Sequence, residues 1–599
     1  MTVLPDDGLS LAAEFPDATH EQWQRLVEGV LRKSGKEVSG DAAEDALSTK
    51  LEDGLTTRPL YTSAEAEPGL PGFAPYVRGA RPEGNASGGW DVRQRHSHPD
   101  AVRANEALLG DLENGVTSLW LAVGEGGLPL AGLERALDGV YLDLAPVVLD
   151  SGAEFPVAAA ELLRLHSERG TPAADVQGNL GGDPLGYEAR SGQVQDFAPI
   201  VEYARSGQFP GLRALTVDAL PYHEAGASAG QELGASMATA VAYLRELTDA
   251  GLSAEQAVGQ LEFRYAATAD QFLTIAKFRA ARRLWARVAE VCNAEGAQKQ
   301  HAVTSSVMMS RRDPWVNMLR TTVATLAAGV GGAESVTVLP FDHALGLPDA
   351  FARRIARNTS TILLEESHLA RVIDPAGGSW YVEQLTHRLA HAGWEFFQEI
   401  ERAGGQAAAL REGFLKDRIA ETWAVRSKKL ATRKEPVTGV SEFPHLAEKP
   451  VERESAPTGP RGGLPRVSRD EAYERLRARS DRHLSETGAR PKVFLATLGP
   501  AAAHTARATF ASNLFQAGGI EPVTGEFEES GARIVCLCSS DSLYEEQAAT
   551  TAAELKAAGA EYVFLAGKPS SYEGVDAYVF AGCDAVDVLT STLDRLGVS

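Results

Sequence analysis

Positive charge is in short supply in this chain. Its 599 residues carry 58 Lys and Arg against 81 Asp and Glu, a formal net charge of −23. Nucleic acid is held mainly by neutralising phosphates, so this balance argues against it as a partner. Long apolar runs are missing too. No stretch reaches the roughly eighteen consecutive apolar residues of a membrane helix. The first residues lack a basic segment leading into an apolar one, so no secretory signal is expected and a cytoplasmic protein is. Cysteine is nearly absent. Cys292, Cys536, Cys538 and Cys583 have no zinc spacing, and all four are expected as buried small hydrophobes in a reducing compartment.

What is there is length and a strand–helix alternation. The chain is long enough for several domains. Residues 491–599 alternate apolar strands (492–499, 533–538, 561–566 and 577–581) with helices over 501–517 and 543–558, and Asp584 opens a last helix. That spacing predicts a doubly wound parallel sheet, with ligands outside the carboxyl ends of its strands. The loops at 499–506, 539–543 and 566–571 are the places to look. Residues 61–405 show strands at 117–123, 145–149, 174–180, 213–219, 302–308 and 335–339, with amphipathic helices such as 231–246 and 275–292 between them. About eight such units fit a β/α barrel with insertions; pattern alone leaves an open sheet possible.

The rest is sparser. Within residues 1–60 one helix, 19–32, carries a stripe of Trp23, Leu26, Val27 and Val30, too narrow for its own core. It reads as a frayed terminus or as an arm packing on a partner chain. Residues 406–490 connect the two larger units. Their stretch 428–463 is rich in Pro, Gly and charge and is expected to lie over the surface. Ser468-Arg469-Asp470-Glu471 predicts a capping box for a helix running to about Glu486.

Several runs resemble the methylmalonyl-CoA mutase family of adenosylcobalamin-dependent acyl-CoA mutases. They are Ala276-Lys277-Phe278-Arg279-Ala280-Ala281-Arg282-Arg283-Leu284-Trp285-Ala286, Arg354-Ile355-Ala356-Arg357-Asn358-Thr359, the stretch from Arg371 to Glu383, and Trp90-Asp91-Val92-Arg93-Gln94. The resemblance implies an α/β chain: a (β/α)8 TIM-type barrel followed by a flavodoxin-like, doubly wound domain of the cobalamin-binding type. It also implies radical chemistry inside a closed barrel.

The family's site residues are damaged together. Its Trp-x-x-Arg-Gln-Tyr becomes Trp90-Asp91-Val92-Arg93-Gln94-Arg95, so an arginine stands where the family wedges a tyrosine beside the cofactor. His-Ser-Gln-Thr-Ser-Gly-Trp becomes His301-Ala302-Val303-Thr304-Ser305-Ser306-Val307. Val303 in place of Gln would leave a substrate carbonyl unpaired, at a cost of about 1–3 kcal/mol. Tyr222-His223-Glu224 is similar to the family's catalytic-histidine stretch but lacks two residues after His223. Gln177 is retained. In the last domain, His504 can match the cobalt ligand, but Ala502 replaces the aspartate that would orient it, and Arg507 replaces a glycine. Ser540, Ser542 and Gly567 survive from the neighbouring loops. The expectation is a vestigial barrel pocket (Gln177, Tyr222, His223, Arg95, Val303) and a vestigial cofactor site (His504, Ser540, Ser542, Gly567). No metal or cofactor is expected on this chain. A large catalytic subunit is expected to pair with it and to hold adenosylcobalamin and the acyl-CoA. The alternatives are a self-sufficient mutase using His223, or a non-catalytic metabolite-binding protein.

Overall fold

A computed structural model describes residue 16 and residues 18–63 and 68–599. The chain's first helix, α1 (His20–Lys33), starts at a reciprocal cap: the Thr19 hydroxyl accepts from the Gln22 N–H, and the Gln22 side chain accepts from the Thr19 N–H. Leu31 is buried, while Leu26 and Val30 are 73% and 67% exposed.

Eight parallel strands then close a barrel: β1 (Asp91–His96), β2 (Ser118–Ala122), β3 (Val147–Asp150), β4 (Gln177–Gly182), β5 (Gly211–Asp218), β6 (Leu261–Ala267), β7 (Gln300–Thr304) and β8 (Ser335–Thr337). Closure comes from β8 on β1, Ser335 opposite Asp91 and Val336 opposite Val92. The apolar pattern finds six of these strands and passes over β1 and β6. Their inward positions carry Arg93 and Arg95, and Glu262 and Arg264, so neither reads as an apolar run. Strand β4 is also shifted from the expected 174–180. Its register slips between Asn179 and Gly182. Gly178 (φ +129°) and Gly181 (φ +75°) make the slip feasible, since a Cβ there would lie 2.0 and 1.9 Å from the carbonyl oxygens of Val147 and Leu149. The bulge delivers Asp183 to the barrel mouth.

Outside the strands pack the short helix α2 (Leu220–Glu224) and the long helices α3 (Ala229–Asp249), α4 (Gln271–Val291) and α5 (Trp380–Arg402). Phe263 meets Trp285 at 4.7 Å and Tyr265 meets Phe278 edge-on, fixing α4 on β6. Trp90 is buried as expected for a core residue, with its indole N–H on the Ser360 hydroxyl. Trp380 is not core: it opens α5 half exposed. Nor are all four cysteines buried. Cys536 and Cys538 are, but Cys583 is only partly covered and Cys292 is exposed where α4 ends.

After α6 (Phe414–Ala431) the chain does not simply lie over the surface. Residues 454–467 run across the barrel mouth as a strap. Leu347 N–H donates to the Glu454 carbonyl at 2.8 Å; Leu464 and Val467 N–H donate to the Ala189 and Glu224 carbonyls at 2.7 and 2.8 Å. Helix α7 (Glu471–Thr487) follows without the expected capping box. Asp470 is buried and accepts instead from the Arg311 N–H, which ties the strap's end to a barrel loop.

The last unit is a five-stranded parallel sheet of β9 (Lys492–Thr497), β10 (Glu521–Val523), β11 (Ile534–Cys538), β12 (Tyr562–Ala566) and β13 (Ala577–Val579). Its order β10-β9-β11-β12-β13 is the flavodoxin-like 2-1-3-4-5. The sequence pattern misses β10, a three-residue edge strand containing Pro522. Helices α8 (Ala501–Ala517), α9 (Asp541–Ala557) and α10 (Ala585–Arg595) cover the sheet. Leu430, Tyr473 and Leu476 of the connecting helices join Phe515 and Leu589 in one core. Among the described residues no helix is long and apolar enough to cross a membrane.

Candidate functional site

Two places collect the residues singled out above: the barrel mouth and the strand ends of the second sheet. The barrel's interior is charged. Arg93 reaches across it to pair with Glu262, strands β1 and β6 not being neighbours, and also bonds the Ser118 hydroxyl (2.9 Å) and Asp91 (3.0 Å). Burial alone would raise the Glu262 pKa, but Arg93 and then Lys299 outweigh it and hold the carboxyl well below its usual range. One layer up, Arg264 donates to His301 Nδ1 (3.2 Å) and to Asp218 (2.8 Å), and its guanidinium lies 4.1 Å over the Trp120 ring. An arginine donor makes Nδ1 the acceptor, so His301 carries its proton on Nε2, facing the Thr337 hydroxyl at 2.8 Å. Burial, then Arg93 and Arg264, push its pKa well down, so the ring stays neutral. Arg190 shares Asp218 at 2.6 Å. Burial would raise the Asp218 pKa, but Arg190 and Arg264 win and keep it ionised.

Above this layer lies a cavity of about 430 Å³, walled by strand ends and roofed by Ala456, Pro457, Gly459 and Pro460 of the strap. Arg95, His223 and Val303 meet at its wall. Tyr222 does not. It is fully buried, its hydroxyl turned away to Gln406 (2.6 Å) and Thr239. Gln177 is far from this group, exposed at the opposite end of β4 from the mouth. His223 is not a strand-end residue, since it sits on α2 just beyond β5. Its Nε2 contacts the Ser305 hydroxyl at 2.6 Å, and Nδ1 lies 3.6 Å from Glu232. Burial would raise the Glu232 pKa, but Lys277 at 2.6 Å and His223 lower it. His223 is thus bonded to Ser305 through one ring nitrogen and lies beside Glu232 with the other.

Sequence reasoning missed Asp183, Asp218 and Arg264. Asp183 follows the glycine-rich bulge and accepts from the Tyr243 hydroxyl at 2.5 Å. Burial, then the neighbouring Asp218, raise its pKa to about 7. A strand-end aspartate before a proline was the available signal. A larger groove of about 830 Å³ lies on the outer wall between α4 and α5, away from the strand ends.

In the second sheet, one residue governs the strand ends. Arg507 on α8 donates to the Ala566 carbonyl (2.9 Å) and to Asp541 (2.6 Å), and stacks 5.2 Å over Tyr544. It thereby bridges the loops after β11 and β12 from the helix after β9, across the point where strand order reverses. A Cβ on Gly567 would lie 2.6 Å from the Arg507 guanidinium. His504 lies in the first turn of α8, its Nδ1 buried with no hydrogen-bond partner. Ser540 and Ser542 contact each other at 3.1 Å. Among the described residues no three His, Cys, Asp or Glu side chains are grouped to hold a metal ion.

The methylmalonyl-CoA mutase family model matches residues 50–126 and 121–482, stopping short of β9. The chain is 72% identical to the methylmalonyl-CoA mutase small subunit of Streptomyces virginiae, with 100% of each chain covered. It is 40% identical to the methylmalonyl-CoA mutase small subunit of Propionibacterium freudenreichii subsp. shermanii, over 99% of this chain and 97% of that one. The match to the Streptomyces virginiae large subunit is 31% identical and spans 72% of this chain and 62% of that one.

Proposed function

The chain belongs to the methylmalonyl-CoA mutase family, and from that premise we propose that it is the small, non-catalytic subunit of a heterodimeric mutase. Its large partner binds adenosylcobalamin and interconverts (R)-methylmalonyl-CoA and succinyl-CoA. The observation that carries this reading is that arginines of the chain itself occupy both places a family cofactor would need. Arg95 stands at the wedge position in the barrel mouth, and Arg507 fills the crevice at the strand ends of the second sheet. His504 also lacks the carboxylate that would orient a metal-bound imidazole. The residues present do not fit the cofactor, so no reaction step is assigned to this chain. Its second sheet is a cobalamin-type domain without its ligand. Its domains divide as residues 1–60, an arm gripping the partner; 61–405, the barrel; 406–490, the connection; and 491–599, the sheet. The acidic charge and scarce cysteine suit a cytoplasmic assembly.

Equilibrium dialysis of the isolated chain against adenosylcobalamin tests the reading. No stoichiometric uptake is expected, whereas the partner or the assembled pair takes up one equivalent. Tight binding by this chain alone would restore His504 as a ligand and sink the proposal.

A further inference from the structure

The barrel-mouth cavity contains a cation that the fold leaves unmatched. Four arginines line it. Arg190 and Arg264 share Asp218, and Arg466 lies 3.7 Å from Glu224. Arg95 has no hydrogen-bond or ion-pair partner among the described residues. Its guanidinium rests only on the Trp120 ring, 5.1 Å from the centroid, with its remaining open face toward the cavity. The surrounding shell is deep enough that burial pulls its pKa down, Asp150 only partly offsetting this. Three other polar groups of the same wall are buried without a partner: Ser151 Oγ, Thr216 Oγ1 and Asp183 Oδ2. An unpaired, half-buried guanidinium facing the cavity, with three unsatisfied oxygens in the wall behind it, is a suitable arrangement for a ligand.

We propose that this cavity binds a small free carboxylic acid, its carboxylate held by Arg95, with Ser151, Thr216 and Asp183 in the wall beside it. The charge count selects the class. Glu125, Asp150, Glu154, Asp183, Asp218 and Glu224 also line the cavity, so a phosphate dianion would face an excess of carboxylates, whereas a monoanion needs only the one guanidinium left without a partner. The planar fork suits a planar carboxylate. Asp183, raised to about 7 by burial and by Asp218, is partly protonated near neutral pH, which lessens the negative charge of the wall. Size points the same way. About 430 Å³ is near the low end of ligand pockets, and the strap closes the mouth against anything trailing a long chain. The assignment rests on the cavity alone and stands whether or not the chain is a mutase subunit.

Equilibrium dialysis of the full-length chain with labelled acetate, lactate and glycolate, and with inorganic phosphate beside them, tests the site. At least one carboxylate should saturate at one equivalent per chain, and phosphate should not. Arg95→Met should weaken that binding at least tenfold, the scale of losing a charge-assisted pair. Arg95→Lys keeps the charge without the fork and should recover part of the affinity; with a melting curve, it separates a lost site from a misfolded chain. The proposal falls if folded Arg95→Met binds as tightly as wild type. It also falls if none of the three acids binds at millimolar concentration, or if phosphate binds more tightly than all of them.

Discussion

His223 is the residue on which the functional reading divides. In a working mutase, losing a group that stabilises the migrating fragment costs on the order of 10²–10⁴ in rate. Here its ring is bonded to Ser305 and lies beside Glu232, so its removal is a local loss of about 1 kcal/mol. His223→Ala, assembled with a wild-type large subunit, should therefore keep turnover within about fivefold. A hundredfold loss at unchanged assembly would identify a live active site. His96 makes a prediction of a different kind. It is buried on β1 with Nε2 unpartnered, 3.5 Å from Asp111, and burial lowers its pKa to about 4. The unfolded chain, with an ordinary histidine, takes up this proton first as pH falls. Stability should thus decline from the usual histidine pKa near 6.5 down to about 4, by up to about 1.4 kcal/mol per pH unit, and stay level above that window. Melting temperatures of His96→Gln and wild type, compared at pH 7 and pH 5, check this: the variant should lose less on acidification. At this scale the sequence was informative about substitution and silent about direction. Arg95, Val303 and Arg507 can be read as replacements. That Tyr222 turns outward and Gln177 lies at the far end of its strand depends on the β4 bulge and the α2 turn, and neither has an apolar period.

At the scale of elements, strands and helices with apolar faces are legible, and those that carry the barrel's charged interior are not. β1 and β6 have outward faces of Val92, Phe263 and Tyr265, which pattern would recognise, but their inward arginines and glutamate break the run. Residues 428–463 carry no apolar period because much of the strap is held by backbone hydrogen bonds and by charged pairs such as Arg103 with Glu454, which no hydrophobic pattern reports. Its fit is close. A Cβ on Gly126, where φ is +86°, would lie 2.6 Å from the Gly459 Cα. Gly126→Ala should therefore lift the strap and cost more than about 1 kcal/mol, with strain and displacement acting together. Limited proteolysis checks it: cleavage within 454–467 should become faster than in wild type, while the barrel helices stay protected.

For the whole molecule, the proposed partnership has a size. A subunit that keeps a full barrel without a fitting cofactor site should form an obligate interface, beyond roughly 2,000 Å² of buried surface. Helix α1, with Leu26 and Val30 exposed, is proposed to take part in that grip. Deleting residues 1–35 should weaken association, and gel filtration of truncated chain with large subunit at nanomolar concentration measures it. Undiminished co-elution would remove the arm from the interface. The strap has a last consequence, in time rather than space. It is made about a hundred residues after β8, and translation runs at about 5–20 residues per second. On the ribosome, then, the mouth stands open for on the order of ten seconds after the last barrel strand exists. The carbonyls of Ala189 and Glu224 wait in water for their donors over that interval. A small molecule that enters before residues 454–467 arrive meets no roof, whereas one that binds the finished chain must pass the strap, so entry is expected to be slower once the chain is complete.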